Sequence, residues 1–148
     1  MYVFGLHKEK HYDMLVVAPG WKPTKIIKRK DIQVTCTMEH SYLSGYEVTV
    51  GEKSIAWIQS GSGSNSTVDQ LLTCAELNFD KLVFVGSVGA LTADIGLGDL
   101  CTPEWSIAGS LANGYLEEDI TQYIPFQKVY PNDPNFVAQV GKIAQDMG

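Results

Sequence analysis

The sequence contains no apolar run near the ~18 residues that a membrane-spanning helix needs, so no membrane partner is expected. Its opening, MYVFGLHKEK, lacks the long apolar stretch of a secretory leader. Cysteine is scarce: Cys36, Cys74 and Cys101 are far apart, with no CxxC pair. An odd number of thiols without metal spacing points to a reducing compartment and buried thiols, and a cytoplasmic protein is the expectation. Histidine is scarcer in effect, because His7, His11 and His40 sit in no ligand spacing with a cysteine or acid. No metal is therefore expected. No GK[ST] follows any glycine run, which excludes a P-loop. Net positive charge is missing as well. At −6, the chain is a poor candidate for general nucleic-acid binding.

What is present is a chain of 148 residues, 45% hydrophobic, enough for one domain over 1–148 with one sizeable core. The charge is uneven. Lys8, Lys10, Lys22, Lys25, Lys28, Arg29 and Lys30 face only Glu9 and Asp13 in residues 1–30, a net of +5, so the remainder carries −11. A basic start on an acidic body fits an anion site, a subunit contact or a solvated face.

YDMLVVA (12–18) reads as a strand buried on both faces, ended by Pro19-Gly20. DIQVTCT (31–37), YEVTV and KSIAWI follow as strands. Gly51-Glu52 joins the last two as a two-residue turn of type II′. The loop QSGSGSNST (59–67) leads into a helix expected over 67–78, with Ser64 or Asn65 as N-cap. KLVFVG (81–86) reads as another fully apolar strand and runs into GSVGA (86–90). DIGLGDLCTP (94–103) suggests a turn and a return strand ending near Pro103. Residues 106–133 read as loop. Asp133 as cap and Pro134 at the first helical position open a final helix. The class is α/β, a mixed central sheet flanked by helices. The final helix runs to Gly148 with no strand after it, which suggests a chain cut short.

Ligands of α/β sheets bind at the carboxyl ends of strands. Three glycine-rich turns, APG (18–20), GSGSNS (61–66) and GSVGA (86–90), occupy such ends. GSGSNS supplies two glycines of a dinucleotide fingerprint, but Ser66 stands at the third, and Asp80 precedes the second strand instead of following it. Neither serine turn has the GxSxG spacing of a nucleophile elbow. Anion binding fits better, because a helix N-terminus presents free N–H groups and partial positive charge. Lys22 and Lys25 follow the APG turn closely enough to add a cation. A plain tight connection is the competing reading for any one of these turns, but it is less economical for all three.

APGWKPTK, GSGSNST heading a helix, and KLVFVGSVGALTADIGLGDL together resemble the nucleoside phosphorylase and nucleosidase superfamily, from about Asp13 to Gly148. The resemblance implies phosphorylase-like architecture, a nucleoside ligand, inorganic phosphate as possible co-substrate with no other cofactor, and a homo-oligomer. It places Gly20 and Lys25 at the phosphate and Ser87 against phosphate or nucleophile. It places Ser62 and Gly63 at the ribose, and Val88 and Gly89 at the base. His7 or His11 corresponds loosely to a histidine that reaches a neighbouring subunit's ribose. Phosphorylases carry an arginine where this chain has Phe84, and a planar guanidinium fork is not replaced by lysine. The water-using branch carries a glutamate after the first strand, where this chain reads Ala-Pro-Gly. The family's ribose-binding glutamates and base-protonating acid lie in a C-terminal half that these residues do not include. No catalytic residue is assigned, and the chain alone is expected to be inactive. The alternative is a non-catalytic nucleoside- or anion-binding module, or a subunit-interface domain.

Overall fold

The computed structural model describes residues 1–109, 114, 119–122 and 124–147. Two compact units divide the chain, Met1–Ser87 and Val88–Gly148. The architecture is mixed α/β, with a five-stranded mixed sheet and three α-helices among the described residues.

The first unit opens with a hairpin of β1 (Tyr2–Val3) and β2 (Leu6–His7). Next come β3 (His11–Tyr12) and β4 (Met14–Val17), the one-turn helix α1 (Pro23–Ile26), and β5 (Ile32–Met38). β6 (Ser44–Val50) and β7 (Lys53–Gln59) follow, then α2 (Ser64–Cys74), β8 (Asn78–Phe79) and β9 (Leu82–Phe84). The sheet order is β5-β6-β7-β4-β9. β5, β6 and β7 form an antiparallel meander, while β4 is parallel to both β7 and β9.

The apolar run of β4 is explained by its central place. Leu15 and Val17 face one cluster, with Ala56, Ile58, Cys74 and Leu77. Val16 and Ala18 face the other, with Tyr46, Val48 and Trp57. A strand buried on both faces has no position for a polar residue. α2 covers the first cluster through Leu71 and Cys74, together with Val3 and Leu6 of the N-terminal hairpin. The Gly51-Glu52 turn joins paired Val50 and Lys53 as expected. Gly51 has φ +57 and Glu52 is not left-handed, which is the type II′ pattern.

The β1–β2 hairpin was not foreseen. Its turn places both Phe4 (φ 50) and Gly5 (φ 73) in the left-handed region. It docks on β5 where the register shifts between Cys36 and Met38, and Thr37 Oγ1 donates to the Phe4 carbonyl at 3.0 Å. Gly45 on β6 lies directly beneath that carbonyl.

Residues 81–86 depart from the expected buried strand. β9 is the sheet's edge among the described residues, and Leu82 and Phe84 are exposed. α2 begins at Ser64 and ends at Cys74, earlier than the expected 67–78, because Gly63 (φ 98) itself takes the N-cap position and neither Ser64 nor Asn65 does.

In the second unit, the expected return strand over 94–103 is absent. Asp99 instead accepts from the Gly96 amide at 2.7 Å, closing a turn, and Leu97 and Leu100 are exposed. The stretch expected to be loop holds a short antiparallel pair, β10 (Ser106–Ile107) with β11 (Lys128–Val129). α3 (Pro134–Met147) starts as expected, with the Phe136 amide donating to Asp133 Oδ1 at 2.9 Å. No helix among the described residues is long and apolar enough to cross a membrane.

Candidate functional site

The parallel strands β7, β4 and β9 are neighbours and end level with one another. Val17 pairs with Ile58 on one side and Phe84 on the other. Their three following turns therefore emerge on one edge of the sheet, about 5 Å apart strand to strand. Ala18-Pro19-Gly20 follows β4, Ser60 through Gly63 follows β7, and Val85-Gly86-Ser87 follows β9. The topology thus brings together Gly20, Ser62, Gly63 and Ser87. Val88 and Gly89 begin the second unit and are exposed.

The loop after β7 is wired in place. The Gly61 amide donates to Gln70 Oε1 at 3.2 Å, and Gln70 Nε2 donates to Ser66 Oγ at 2.9 Å. A Cβ on Gly61 would stand 2.7 Å from Ser66 Oγ, so a side chain there would force Ser66 to turn away from Gln70. Gly63 combines φ 98 with ψ 149, a conformation open to glycine. Its carbonyl accepts from the Thr67 amide and from Thr67 Oγ1, both at 3.0 Å. No side chain caps α2. The positive end of its dipole faces the edge. Ser62 lies exposed at the tip.

Two polar atoms at the end of β7 escaped the sequence reading. Gln59 Oε1 and Ser60 Oγ are buried and have no hydrogen-bond partner among the described residues, and Ser60 is 2% exposed. An unsatisfied buried polar group costs about 1–3 kcal/mol, and such groups concentrate where a ligand or water completes them. Ser60 follows the alternation of Ala56 and Ile58, so it lies on the face covered by α2. No sequence pattern marks a serine as buried, so only the fold reveals it.

The cations divide differently from expectation. Lys25 is exposed and has no ion-pair partner among the described residues. Lys22 is half-buried and donates to Glu39 at 3.0 Å; this hydrogen bond holds its ammonium pKa above the ordinary lysine value. Trp57 Nε1 donates to the Trp21 carbonyl at 3.0 Å, fixing the chain just after Gly20.

The histidines lie elsewhere. His11 opens β3, at the opposite end of the β3–β4 run from the glycine edge, and its Nε2 is 2.9 Å from Asp80 Oδ1. His7 ends the N-terminal hairpin, with its ring edge-on to Tyr2. No group of three or more His, Cys, Asp or Glu residues converges among the described residues. In the second unit, a groove of about 450 Å³ is lined by Pro103, Glu104, Tyr130, Pro134 and Val137 among others. Its one carboxylate and the lack of a cation among its described lining residues make it unsuited to an anion.

The family model for the phosphorylase superfamily matches residues 15–148. The chain belongs to the phosphorylase superfamily. The match runs from Leu15 in β4 through all three glycine turns to the end of α3. No curated protein matches this chain.

Proposed function

We propose that this phosphorylase-superfamily chain binds a purine or pyrimidine nucleoside at the glycine edge of β7, β4 and β9. One observation carries the reading: three level, parallel strand ends each continue into a glycine turn, and the loop after β7 opens α2 with Gly63 as its N-cap. Ser62 and Gly63 take the ribose side. Gly20, Lys25 and Ser87 take the anion or nucleophile side. Val88 and Gly89 contribute to the base pocket by family resemblance. The reaction class is N-glycosidic cleavage by phosphate or water. Positive charge develops on the sugar as the base leaves, and anionic groups and hydrogen-bond acceptors near the sugar stabilise it.

On this reading the 148-residue chain binds but does not turn over. Glu39, the carboxylate in direct contact with a lysine of the post-Gly20 segment, is committed to Lys22. The same reading takes the protein as a homo-oligomer, favoured by the exposed apolar edge at Leu82 and Phe84. Calorimetry with adenosine, uridine and inorganic phosphate, paired with chromatographic assay of released base, tests it. Saturable nucleoside binding without base release is the expected result. Absence of any nucleoside binding overturns the site, and turnover overturns the inactivity.

A further inference from the structure

Loop 61–66 closes on the side chain of Gln70. This residue lies one turn after Ser66 on the same face of α2. A backbone amide can only donate, so Oε1 is the Gln70 atom that faces the Gly61 amide, at 3.2 Å. Nε2 is left to donate to Ser66 Oγ at 2.9 Å. One side-chain amide thereby joins the first residue of the loop to the last. Gly61, Ser66 and Gln70 are half-buried, while Ser62 through Asn65 between them are exposed. The loop is clamped at its base and open at its tip.

A stretch of serine and glycine has little means of holding such a shape alone. Glycine loses more freedom on ordering than any other residue, and serine brings almost no side chain to pack. Thr67 Oγ1 fixes the far side of the loop by donating to the Gly63 carbonyl at 3.0 Å. Gln70 fixes the near side. The conformation of Gly61 is not left-handed, so its backbone accepts alanine. The obstacle to a Cβ there is the clamp itself, with Ser66 Oγ at 2.7 Å and Gln70 Nε2 at 3.5 Å.

A loop that already has its bound shape does not have to be ordered by the ligand. Where only a fraction of the molecules hold that shape, apparent affinity falls by the same fraction. We infer that Gln70 is a positioning residue for the ribose loop, setting nucleoside affinity through Gly61 and Ser66. Both polar ends of its side chain are engaged in the loop, so it acts without touching the ligand. The inference rests on the proposed nucleoside site and adds to it the side chain that keeps Ser62 and Gly63 in place.

The test combines calorimetric titration of adenosine with hydrogen exchange at the Gly61 amide, in the full 148-residue chain and its variants. Gln70→Leu keeps the size and removes both hydrogen bonds. It speeds Gly61 exchange and weakens adenosine about 5- to 30-fold, within the net worth of two hydrogen bonds. Gln70→Glu returns both readings to within about 3-fold of the parent, because a carboxylate accepts from the Gly61 amide and from a rotated Ser66 hydroxyl. Gly61→Ala wedges the clamp from the other side and also weakens adenosine. Added to Gln70→Leu it has little further effect, since both changes release the same loop. Thr73→Ala removes a hydroxyl that donates to the Asp69 carbonyl near the end of α2, and it changes neither reading. Equal adenosine affinity in the parent and Gln70→Leu, with Gly61 exchange faster, overturns the positioning role and leaves the nucleoside site standing. Unchanged Gly61 exchange in Gln70→Leu overturns the clamp itself. Weakening by Gln70→Glu or Thr73→Ala as large as that by Gln70→Leu makes the effect one of general helix stability, which also overturns the role. Failure of the parent chain to bind adenosine overturns the nucleoside site and the role of Gln70 with it, even where Gly61 exchange responds as expected.

Discussion

Replacing Gly45 with alanine tests how the N-terminal hairpin is attached to the sheet. Gly45 sits on β6 under the β1–β2 turn, and a Cβ there would stand well inside contact distance of the Phe4 carbonyl and 2.9 Å from Thr37 Oγ1. The obstacle is main chain, so no rotamer change relieves it. Overpacking of this kind costs typically 1–3 kcal/mol. The alternative is for the hairpin to lift, which exposes Val3 and Leu6, now 5% and 1% exposed, at about 1.5–3 kcal/mol each. Lifting also returns about 1–2 kcal/mol of backbone entropy per residue freed, so it caps the cost. The expected loss is ~2–3 kcal/mol, concentrated in the hairpin. Urea unfolding gives the total, and hydrogen exchange at the amides of residues 2–7 gives the location. In a chain lacking residues 1–7 the same substitution costs less than ~0.5 kcal/mol, since its partner is gone. A Gly45→Ala chain with parental stability and parental hairpin protection would refute the close approach.

Two further outcomes follow from ionisable groups. Lys53 donates to Asp13 Oδ1 at 2.6 Å and the Ser54 amide donates to Oδ2 at 2.9 Å; these hydrogen bonds lower the Asp13 pKa. A carboxyl depressed on folding stabilises above its unfolded pKa near ~4 and loses that contribution as pH falls through its folded value, so Asp13→Asn should flatten the acid limb of a stability–pH profile measured by thermal melting. Of the three thiols expected to be buried, only Cys74 is, and burial pushes its pKa up to about 12; Cys36 and Cys101 are exposed, so a thiol-titrating reagent at pH 8 should modify two thiols in the folded chain and three in denaturant.

The legible parts of the fold were those set by local chemistry. β4 was visible because burial on both faces forces an unbroken apolar run. The Gly51-Glu52 turn and the Asp133-Pro134 helix start were visible because each needs particular residues at fixed places. The β1–β2 hairpin was hidden because Phe4, a bulky residue, carries a left-handed φ that no sequence signal announces. Its docking instead supplies the constraint, through Thr37 and Gly45. KLVFVG formed its expected strand but not a buried one, and DIGLGDL formed none, for a shared reason. Apolar composition predicts a strand only when a partner surface is available. β9 has one strand partner among the described residues, and the backbone of 96–99 closes on itself.

The glycine edge was legible because glycine at strand ends has a cause that sequence alone can carry: backbone must turn tightly or be approached closely. Its electrostatics were not legible. Sequence places Lys22 and Lys25 alike after Gly20, yet Glu39 takes the half-buried Lys22 and leaves the exposed Lys25. An anion arriving at Gly20 therefore meets one uncommitted lysine at the surface, where screening keeps an ion pair to about 0–1 kcal/mol. Phosphate is a dianion, and binding it firmly takes several charge-assisted donors. Phe84 supplies none. On the α2 side the same edge holds the buried Ser60 hydroxyl, which has no hydrogen-bond partner among the described residues. On the proposed nucleoside reading, this edge therefore supplies backbone and hydroxyl groups and little positive charge.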